Sequence, residues 1–404
     1  MQKLFLRLIC IFFFYSFGLA KIEFKNAIHR YYEKVPEDLF SKLKIKIEAG
    51  EIGNLRFINE LETLQYLLEE FKIPFQSQTL VFSNTSLQLS KITPHTPRAI
   101  YFSDDLYLGY VPNGQIEVIG IDPHVGAVPY IFEIPTVSNS GFPGIYRSRR
   151  CMNCHASEKT DYVPGLLLSS VIPMKGGGTL DVINSGKPGH HVAYEQRFGG
   201  WYLNHSNLFS RNWANSVGEI QKGSVNKIKL PNNLFNEKVP TNYSDPVAHL
   251  VLEHQIGFTN LCLKIQYLYR ELIHNTSKNK EVTIASWVEG LLEYILFCDE
   301  PRLPNPINIR LSPFAQEFQK IDLLRQFDLS TRLFRFRCSY LINGHIFSAL
   351  PAEIQKPFWL KLVQLLEGKT NTYPKFSYLE PEEKIQIDKY LFSTNSEYKK
   401  RRLK

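Results

Sequence analysis

The sequence predicts an α+β protein, with a small antiparallel β region, a loop-rich middle segment and a mainly helical C-terminal half. Between Thr79 and Ile134, short apolar runs alternate with turns that contain Pro, Asp, Asn or Gly, which is typical of antiparallel strands. Residues 156–215 are rich in glycine and proline, as loops are. After Ser244, apolar residues recur every three or four positions, the period of an amphipathic helix.

The first twenty residues have the three parts of a secretory signal peptide. Lys3 and Arg7 supply positive charge, residues 8–19 are almost entirely apolar, and Gly18 and Ala20 offer a cleavage site. The alternative is an uncleaved anchor, but the apolar run is shorter than the roughly 20 residues that span a bilayer. We therefore expect cleavage and a soluble periplasmic protein.

The next segments alternate between the two types of secondary structure. Residues 22–73 have helical spacing and end at Pro74. Four strand-like runs follow at Leu80–Phe82, Ala99–Phe102, Leu106–Val111 and Ile116–Ile121. Residues 112–114, Pro-Asn-Gly, predict a hairpin turn between the last two runs.

The C-terminal half begins with a strong helix start. In residues 244–246, Ser-Asp-Pro, a capping side chain precedes a proline suited to the first turn. An apolar stripe then runs from Val247 to Leu272. Further helices are expected over residues 284–297, 329–347 and 357–366.

The most informative stretch is residues 151–155, Cys-Met-Asn-Cys-His. This C-x-x-C-H pattern is the attachment site of a c-type haem, in which Cys151 and Cys154 bond the porphyrin and His155 ligates the iron. A redox dithiol or half of a zinc site is the alternative, but the flanking residues do not resemble a strand-to-helix junction. Export favours haem. The chain then divides into a signal peptide (1–20), an N-terminal α+β region (21–140), a haem-attachment segment (141–215) and a helical C-terminal domain (216–404).

The remaining mature cysteines are Cys262, Cys298 and Cys338. They are scattered singly, so they do not form the second ligand pair that a zinc site of the usual kind needs. In an oxidising compartment, a disulfide from Cys298 to either of the others stays open.

The other axial position of the iron decides between an electron carrier and a catalyst. Candidate distal ligands are His254 on the apolar stripe, Met174 in a loop after a proline, His205, and the pair His190–His191. An open or water-bound position is the remaining alternative. For each side chain, an ordinary role in core or loop packing is also open.

Basic and aromatic residues near the motif could contact the porphyrin. Arg147, Arg149 and Arg150 precede the motif and Arg197 follows it, and guanidinium groups pair well with carboxylates such as the haem propionates. Trp201 is a candidate for packing on the ring, with packing in the protein core as the alternative.

Several short segments of the sequence resemble a group of exported bacterial proteins described only as cytochrome c domain-containing. They are residues 80–88, 97–102, 121–123, 151–157, 163–165, 197–202, 252–255, 296–300 and 337–342. The resemblance covers most of the mature chain in order and implies a covalent haem on Cys151, Cys154 and His155, without implying a particular reaction. His254 lies in one of these segments, whereas Met174 lies in none of them. Near His205 the chain departs from the family, which shows a longer Thr-Gly-x-His-Gly run.

The length and net charge of the chain limit the functions that it can have. A chain of 404 residues with one C-x-x-C-H is larger than a haem needs, so the surplus either presents the haem to a redox partner protein or builds a pocket. The net charge is +8, and much of the excess lies in the tail 399–404, which could contact anionic lipid or an acidic partner protein. A solvated terminus that aids solubility is the alternative. Nucleic acid is not an expected partner. Electron transfer is the favoured function, and a haem enzyme or gas sensor is the alternative.

Overall fold

The fold combines an antiparallel sheet in the N-terminal half with helices in the C-terminal half, so the predicted α+β class is confirmed. The structure is a computed structural model that describes residues 21–51, 60–132, 144–231, 234, 239–275, 279–368 and 374–403. The predicted signal peptide lies outside the described residues.

The sheet has seven strands in the order β6-β5-β4-β3-β2-β1-β9. Their bounds are β1 Thr79–Val81, β2 Arg98–Phe102, β3 Leu106–Tyr110, β4 Ile116–Asp122, β5 Gly126–Phe132, β6 Ile145–Arg147 and β9 Trp201–Tyr202. All neighbours are antiparallel. The predicted strand runs and the hairpin turn between β3 and β4 are confirmed. A separate hairpin, β7 Ser170–Pro173 with β8 Thr179–Asn184, lies in the predicted loop-rich segment.

One face of the sheet is covered by N-terminal helices, α1 Leu39–Glu48 and α2 Glu60–Glu70. The Tyr130 hydroxyl donates to Asp38 Oδ2 at 2.7 Å, and the Tyr110 hydroxyl lies 3.1 Å from Glu60 Oε2. Between residues 22 and 38 the chain forms turns rather than the predicted helix, since the chain there wraps the sheet edge and Tyr31 donates to the Ala127 carbonyl.

The opposite face we call the motif face, because the charges of Arg98 and Glu117, which lie on it, act on residues of the motif. Alternation along the strands places Arg98 and Ile100 of β2, Gly109 of β3, and Glu117 and Ile119 of β4 on this face. The four side chains among these residues are only partly buried. This part of the motif face is therefore only partly covered, whereas Phe102, Tyr107 and Ile131 on the same face are buried.

Seven helices, α4 to α10, follow the sheet in the described part of the C-terminal half. They are α4 Pro246–His274, α5 Lys280–Ile295, α6 Pro313–Phe318, α7 His345–Ser348, α8 Ala352–Leu366, α9 Pro381–Thr394 and α10 Ser396–Arg402. Asp245 caps α4 by accepting the N–H groups of Val247 and Ala248. The predicted start of α4 and the helices expected near residues 284–297 and 357–366 are confirmed.

The helix predicted over residues 329–347 is wrong. Residues 329–338 are irregular, and only a 3-10 turn, Tyr340–Asn343, and α7 follow. Leu329 has φ +54°, and the Arg337 N–H donates to the Glu383 side chain at 2.6 Å, so the backbone is not paired as in a helix. Residues 216–229, also expected in a helical domain, form the hairpin β10 Ser216–Gln221 with β11 Ser224–Lys229.

Replacement of Gly120 by Ala should destabilise the protein by about 1–3 kcal/mol. A Cβ at Gly120 would lie 2.1 Å from Asp38 Oδ1, and the Asp38 side chain caps α1. Gly290→Ala in α5 is the matched control, because nothing lies within 4 Å of its added Cβ, and it should stabilise by about 0.5–1 kcal/mol. Urea unfolding followed by circular dichroism measures both, and equal midpoints would contradict this account.

Candidate functional site

The C-x-x-C-H motif forms one turn of helix, α3 Met152–His155. The N–H of Cys154 and that of His155 both lie within hydrogen-bond distance of the Cys151 carbonyl, at 3.2 and 3.0 Å. Residues three apart on a helical turn share a side, so the two thiols face one region. Cys151 is half-buried, Cys154 is exposed, and both are free thiols.

The Cys151 thiol lies close to the sheet. Its Sγ is 3.2 Å from Ser148 Oγ, and the Ser148 N–H donates to the Pro129 carbonyl of β5. Burial raises the pKa of Cys151, an effect that the Ser148 hydrogen bond opposes and the Glu117 charge reinforces. Cys151 is therefore a protonated thiol at neutral pH.

The His155 ring is held by one hydrogen bond. Its Nδ1 lies 2.9 Å from the Gly165 carbonyl oxygen. A carbonyl only accepts, so Nδ1 carries the proton and Nε2 keeps its lone pair. Burial lowers the pKa of His155, with the Gly165 hydrogen bond opposing this effect. The ring is thus neutral, and the lone pair of Nε2 is available to a metal ion, which is the form in which histidine binds metals.

The loop that supplies the Gly165 carbonyl is fixed from three sides. The Asn260 side chain of α4 pairs with Leu166 by two hydrogen bonds, of 2.8 and 2.9 Å. The Gly165 N–H donates to the His155 carbonyl at 2.8 Å, and the Ala127 N–H of β5 donates to the Pro164 carbonyl at 3.0 Å. Sheet and long helix together determine the position of the His155 ring.

An ion pair on the motif face lies within electrostatic reach of the motif. Arg98 Nη1 is 2.7 Å from Glu117 Oε2, and Glu117 also accepts from Ser86 Oγ and Gln88 Nε2. Burial opposes ionisation of Glu117, but Arg98 and these hydrogen bonds outweigh it and lower the pKa of Glu117. The charges of both residues act on His155.

The Arg98–Glu117 pair was not predicted from the sequence. The available signals were Arg98 in one otherwise apolar strand and Glu117 in a second strand, whose last residue, Asp122, is also charged. Register alone brings the two side chains together across Gly109.

The predicted carboxylate-binding arginines lie in different surroundings. Arg147 lies on the face covered by helices, where it donates to the Tyr31 carbonyl at 2.7 Å. Arg149 stacks over Tyr32, and Arg150 is exposed. Arg197 is buried, 3.2 Å from Glu253 Oε2. The guanidinium groups of Arg147 and Arg197 therefore already bind protein groups, although the buried Nε of Arg147 has no partner among the described residues.

Trp201 packs within the protein rather than over the motif. It is buried in β9, its Nε1 donates to the Ser169 carbonyl at 2.9 Å, and its ring meets the edge of His249.

His254 is fully buried, and both ring nitrogens are hydrogen-bonded. Its Nδ1 lies 2.9 Å from His190 Nδ1, and its Nε2 lies 2.9 Å from Ser339 Oγ. His190 Nε2 faces the Cys298 carbonyl at 3.4 Å and must donate, so His190 Nδ1 accepts from His254 Nδ1–H and His254 Nε2 accepts from Ser339. Burial lowers the pKa of His254 to about 3. Ligation by His254 would require loss of one of these hydrogen bonds.

Met174 and His205 lie in surface turns. Met174 is 44% exposed in the turn between β7 and β8, and His205 is exposed with φ +55°. Within the described chain, neither forms a hydrogen bond or a ring contact with residues 151–155.

The other chemical features of the described residues are few. Cys262, Cys298 and Cys338 are buried free thiols. No group of three or more His, Cys, Asp or Glu residues that could hold a metal ion is found there. No described helix combines the length and apolar character needed to cross a bilayer.

Comparison of the chain with family models, curated protein sequences and solved structures gives no match. The geometry of residues 151–165 therefore carries the functional argument.

Replacement of Asn260 by Ala should loosen the loop that holds His155. The variant leaves the Leu166 N–H and carbonyl without their partners, which costs about 1–3 kcal/mol of stability. Amide hydrogen exchange should become faster at Leu166 and Gly165 than in the wild type. Asn153→Ala, at an exposed position inside the motif, is the control. Equal protection from amide hydrogen exchange in the two variants would contradict the proposed effect of the Asn260–Leu166 hydrogen bonds.

Proposed function

We propose that this protein is a c-type cytochrome that carries one haem, covalently attached through Cys151 and Cys154 and ligated by His155. The observation that carries the proposal is the 2.9 Å contact between His155 Nδ1 and the Gly165 carbonyl. It fixes the tautomer that leaves Nε2 for iron, one residue from a free, exposed thiol. A redox dithiol would not need this orientation of the histidine.

The two thiols fit the attachment chemistry. Each Sγ would add to one vinyl group of the porphyrin, forming an S–C bond while the thiol proton passes to the neighbouring vinyl carbon. Nothing is oxidised or reduced in this addition, so it requires free thiols. Cys151 and Cys154 meet this requirement, and the turn of α3 directs both to the same region.

Electron transfer is the function that the exposure of the site supports best. A haem bound here would supply a one-electron ferric–ferrous couple. Cys154 is exposed and His155 is only half-buried, so the attachment edge lies at the protein surface, where a redox partner could approach. The apolar N-terminus has the parts of a secretory signal peptide, and this supports a periplasmic location.

The basic tail offers less support for membrane binding than its sequence implied. Arg402 pairs with Asp388 and Glu367, and Lys400 pairs with Glu397. Lys399 lies over the Phe392 ring. Part of the positive charge is therefore neutralised within the fold, which favours a stabilising role for α10.

Binding of a small ligand to the iron is a second candidate function. The hydrogen bonds of His254 and the surface positions of Met174 and His205 favour a distal position that none of these three side chains fills. Such a site would bind carbon monoxide rapidly, whereas a six-coordinate electron carrier would bind it slowly.

Replacement of both Cys151 and Cys154 by Ser should abolish covalent haem. In the periplasm of a host with haem-attachment machinery, intact-mass measurement should show one haem on the wild type and none on the double variant. Each single variant should retain at most one thioether bond. Cys298→Ser is the control and should keep its haem. A wild type without bound haem, or a double variant that keeps covalent haem, would contradict the proposal.

Replacement of His254 by Leu tests the distal position. If His254 stays in its network with Ser339 and His190, the haem-loaded variant should keep the wild-type optical spectrum and rate of carbon monoxide binding. Loss of a low-spin spectrum in this variant alone, with Met174→Leu and His205→Leu unchanged, would instead identify His254 as the ligand.

A further inference from the structure

We propose that Arg98 binds a haem propionate and that Glu117 is the positioning residue that holds the Arg98 guanidinium in place. This inference rests on the proposed function, since it assigns the polar end of the haem-binding site. It adds a ligand-binding role for two strands, β2 and β4, that both end well before the motif begins.

The location is fixed by strand register. Ile100, Gly109 and Glu117 form one row across β2, β3 and β4, and Arg98 lies on the same face two residues before Ile100. The same sheet continues to β5, whose Pro129 carbonyl binds Ser148 beside Cys151. The Arg98–Glu117 pair and the strand that positions Ser148 therefore belong to one sheet, and the Glu117 charge acts on the Cys151 thiol.

Arg98 has a buried N–H group without a partner. Its Nε is inaccessible to solvent and makes no hydrogen bond in the described structure, while Nη1 donates a hydrogen bond to Glu117. A buried polar hydrogen left unpaired costs about 1–3 kcal/mol, and native proteins rarely tolerate one unless a ligand or water satisfies it. A carboxylate is the natural acceptor, because guanidinium groups bind its two oxygens in parallel.

The ion pair to Glu117 does not by itself account for this arrangement. Glu117 is already supplied with hydrogen bonds from Ser86 and Gln88, at 2.7 and 3.0 Å, so its charge is stabilised from three directions. These partners keep the Glu117 carboxylate rigid, and Glu117 in turn directs the guanidinium. A group held in this way is preorganised for a second anion.

The surface beside the pair suits the apolar part of a porphyrin. Ile100 and Ile119 are partly exposed on the same face. Gly109 lies between Arg98 and Glu117, and a Cβ there would touch both at 3.5 Å, so the glycine leaves the pair uncovered by a neighbouring side chain. An apolar surface with a fixed cation at one end matches an amphiphilic ring whose charges are carboxylates.

The test compares the haem-loaded wild type with Arg98→Gln, Arg98→Lys, Glu117→Gln and the control Arg149→Gln. Arg149 lies much closer to the motif in sequence than Arg98 does, but it is exposed and stacks on Tyr32. Intact mass reports whether haem is attached, and spectroelectrochemistry reports the reduction potential from about pH 5 to about pH 9.

All variants should keep covalent haem, since none alters a thiol or His155. Arg98→Gln should lower the reduction potential, because removal of a cation destabilises the more negative ferrous form, and Glu117→Gln should shift it upward. In Arg98→Gln the potential should also become pH-dependent, as the propionate loses the cation that keeps it ionised. Arg98→Lys retains the charge and should fold even if the glutamine variant does not, but it should still show part of the pH dependence.

Three results separate the outcomes. A wild type without haem refutes the proposed function and the inference together. Haem-loaded Arg98 variants whose potential and pH dependence equal those of Arg149→Gln refute the inference alone. An altered stretching frequency of bound carbon monoxide in Arg98→Gln, without altered pH dependence, would place Arg98 beside the iron instead and would also overturn it.

Discussion

The contact between His155 and the Gly165 carbonyl is the constraint on which the candidate site depends. It selects one tautomer of the imidazole and sets the plane of the ring. The carbonyl cannot move freely, because Asn260 holds Leu166 and β5 holds Pro164. A rigid acceptor for a metal-binding histidine is a common means of tuning its basicity, and here the acceptor is a loop fixed by sheet and helix together.

Helix α4 connects the other parts of the molecule to this loop. Asn260 holds the loop, and Gln255 donates to the Ser103 carbonyl and to the Tyr107 hydroxyl of β3. His254 lies between His190 and Ser339. One helix of 29 residues thus positions the motif relative to the sheet and to the C-terminal segments. This explains why several polar side chains are buried along a helix whose pattern looked mainly apolar.

The features that could be predicted from sequence are those encoded by neighbouring residues. The motif is five residues long, the start of α4 is a local capping signal, and the strands are short apolar runs with turns between them. The Arg98–Glu117 pair could not be predicted, because residues 19 positions apart meet only when the register of three strands is known. The roles proposed for Arg147 and Arg197 depended on residue type and position along the chain, and their tertiary partners give them other contacts.

The incorrect helix over residues 329–347 has a different cause. Phe334 and Tyr340 lie in an aromatic cluster with Phe318, and Phe327 stacks on Phe334. A segment buried on several sides carries apolar residues without a helical period, so composition alone could not separate an irregular segment from a helix. Tautomers of His155, His190 and His254 were equally inaccessible, since they follow only from which carbonyl or hydroxyl faces each nitrogen.

The two hydrogen bonds between Leu166 and Asn260 join residues 94 positions apart. This separation sets an order of events while the chain is made and folds. A chain synthesised from its N-terminus presents the two cysteines before residue 260 has emerged. Until then the loop lacks one of its anchors, and the His155 ring lacks a fixed acceptor. If the proposed haem is attached at that stage, its attachment and the docking of α4 become successive steps of one assembly process.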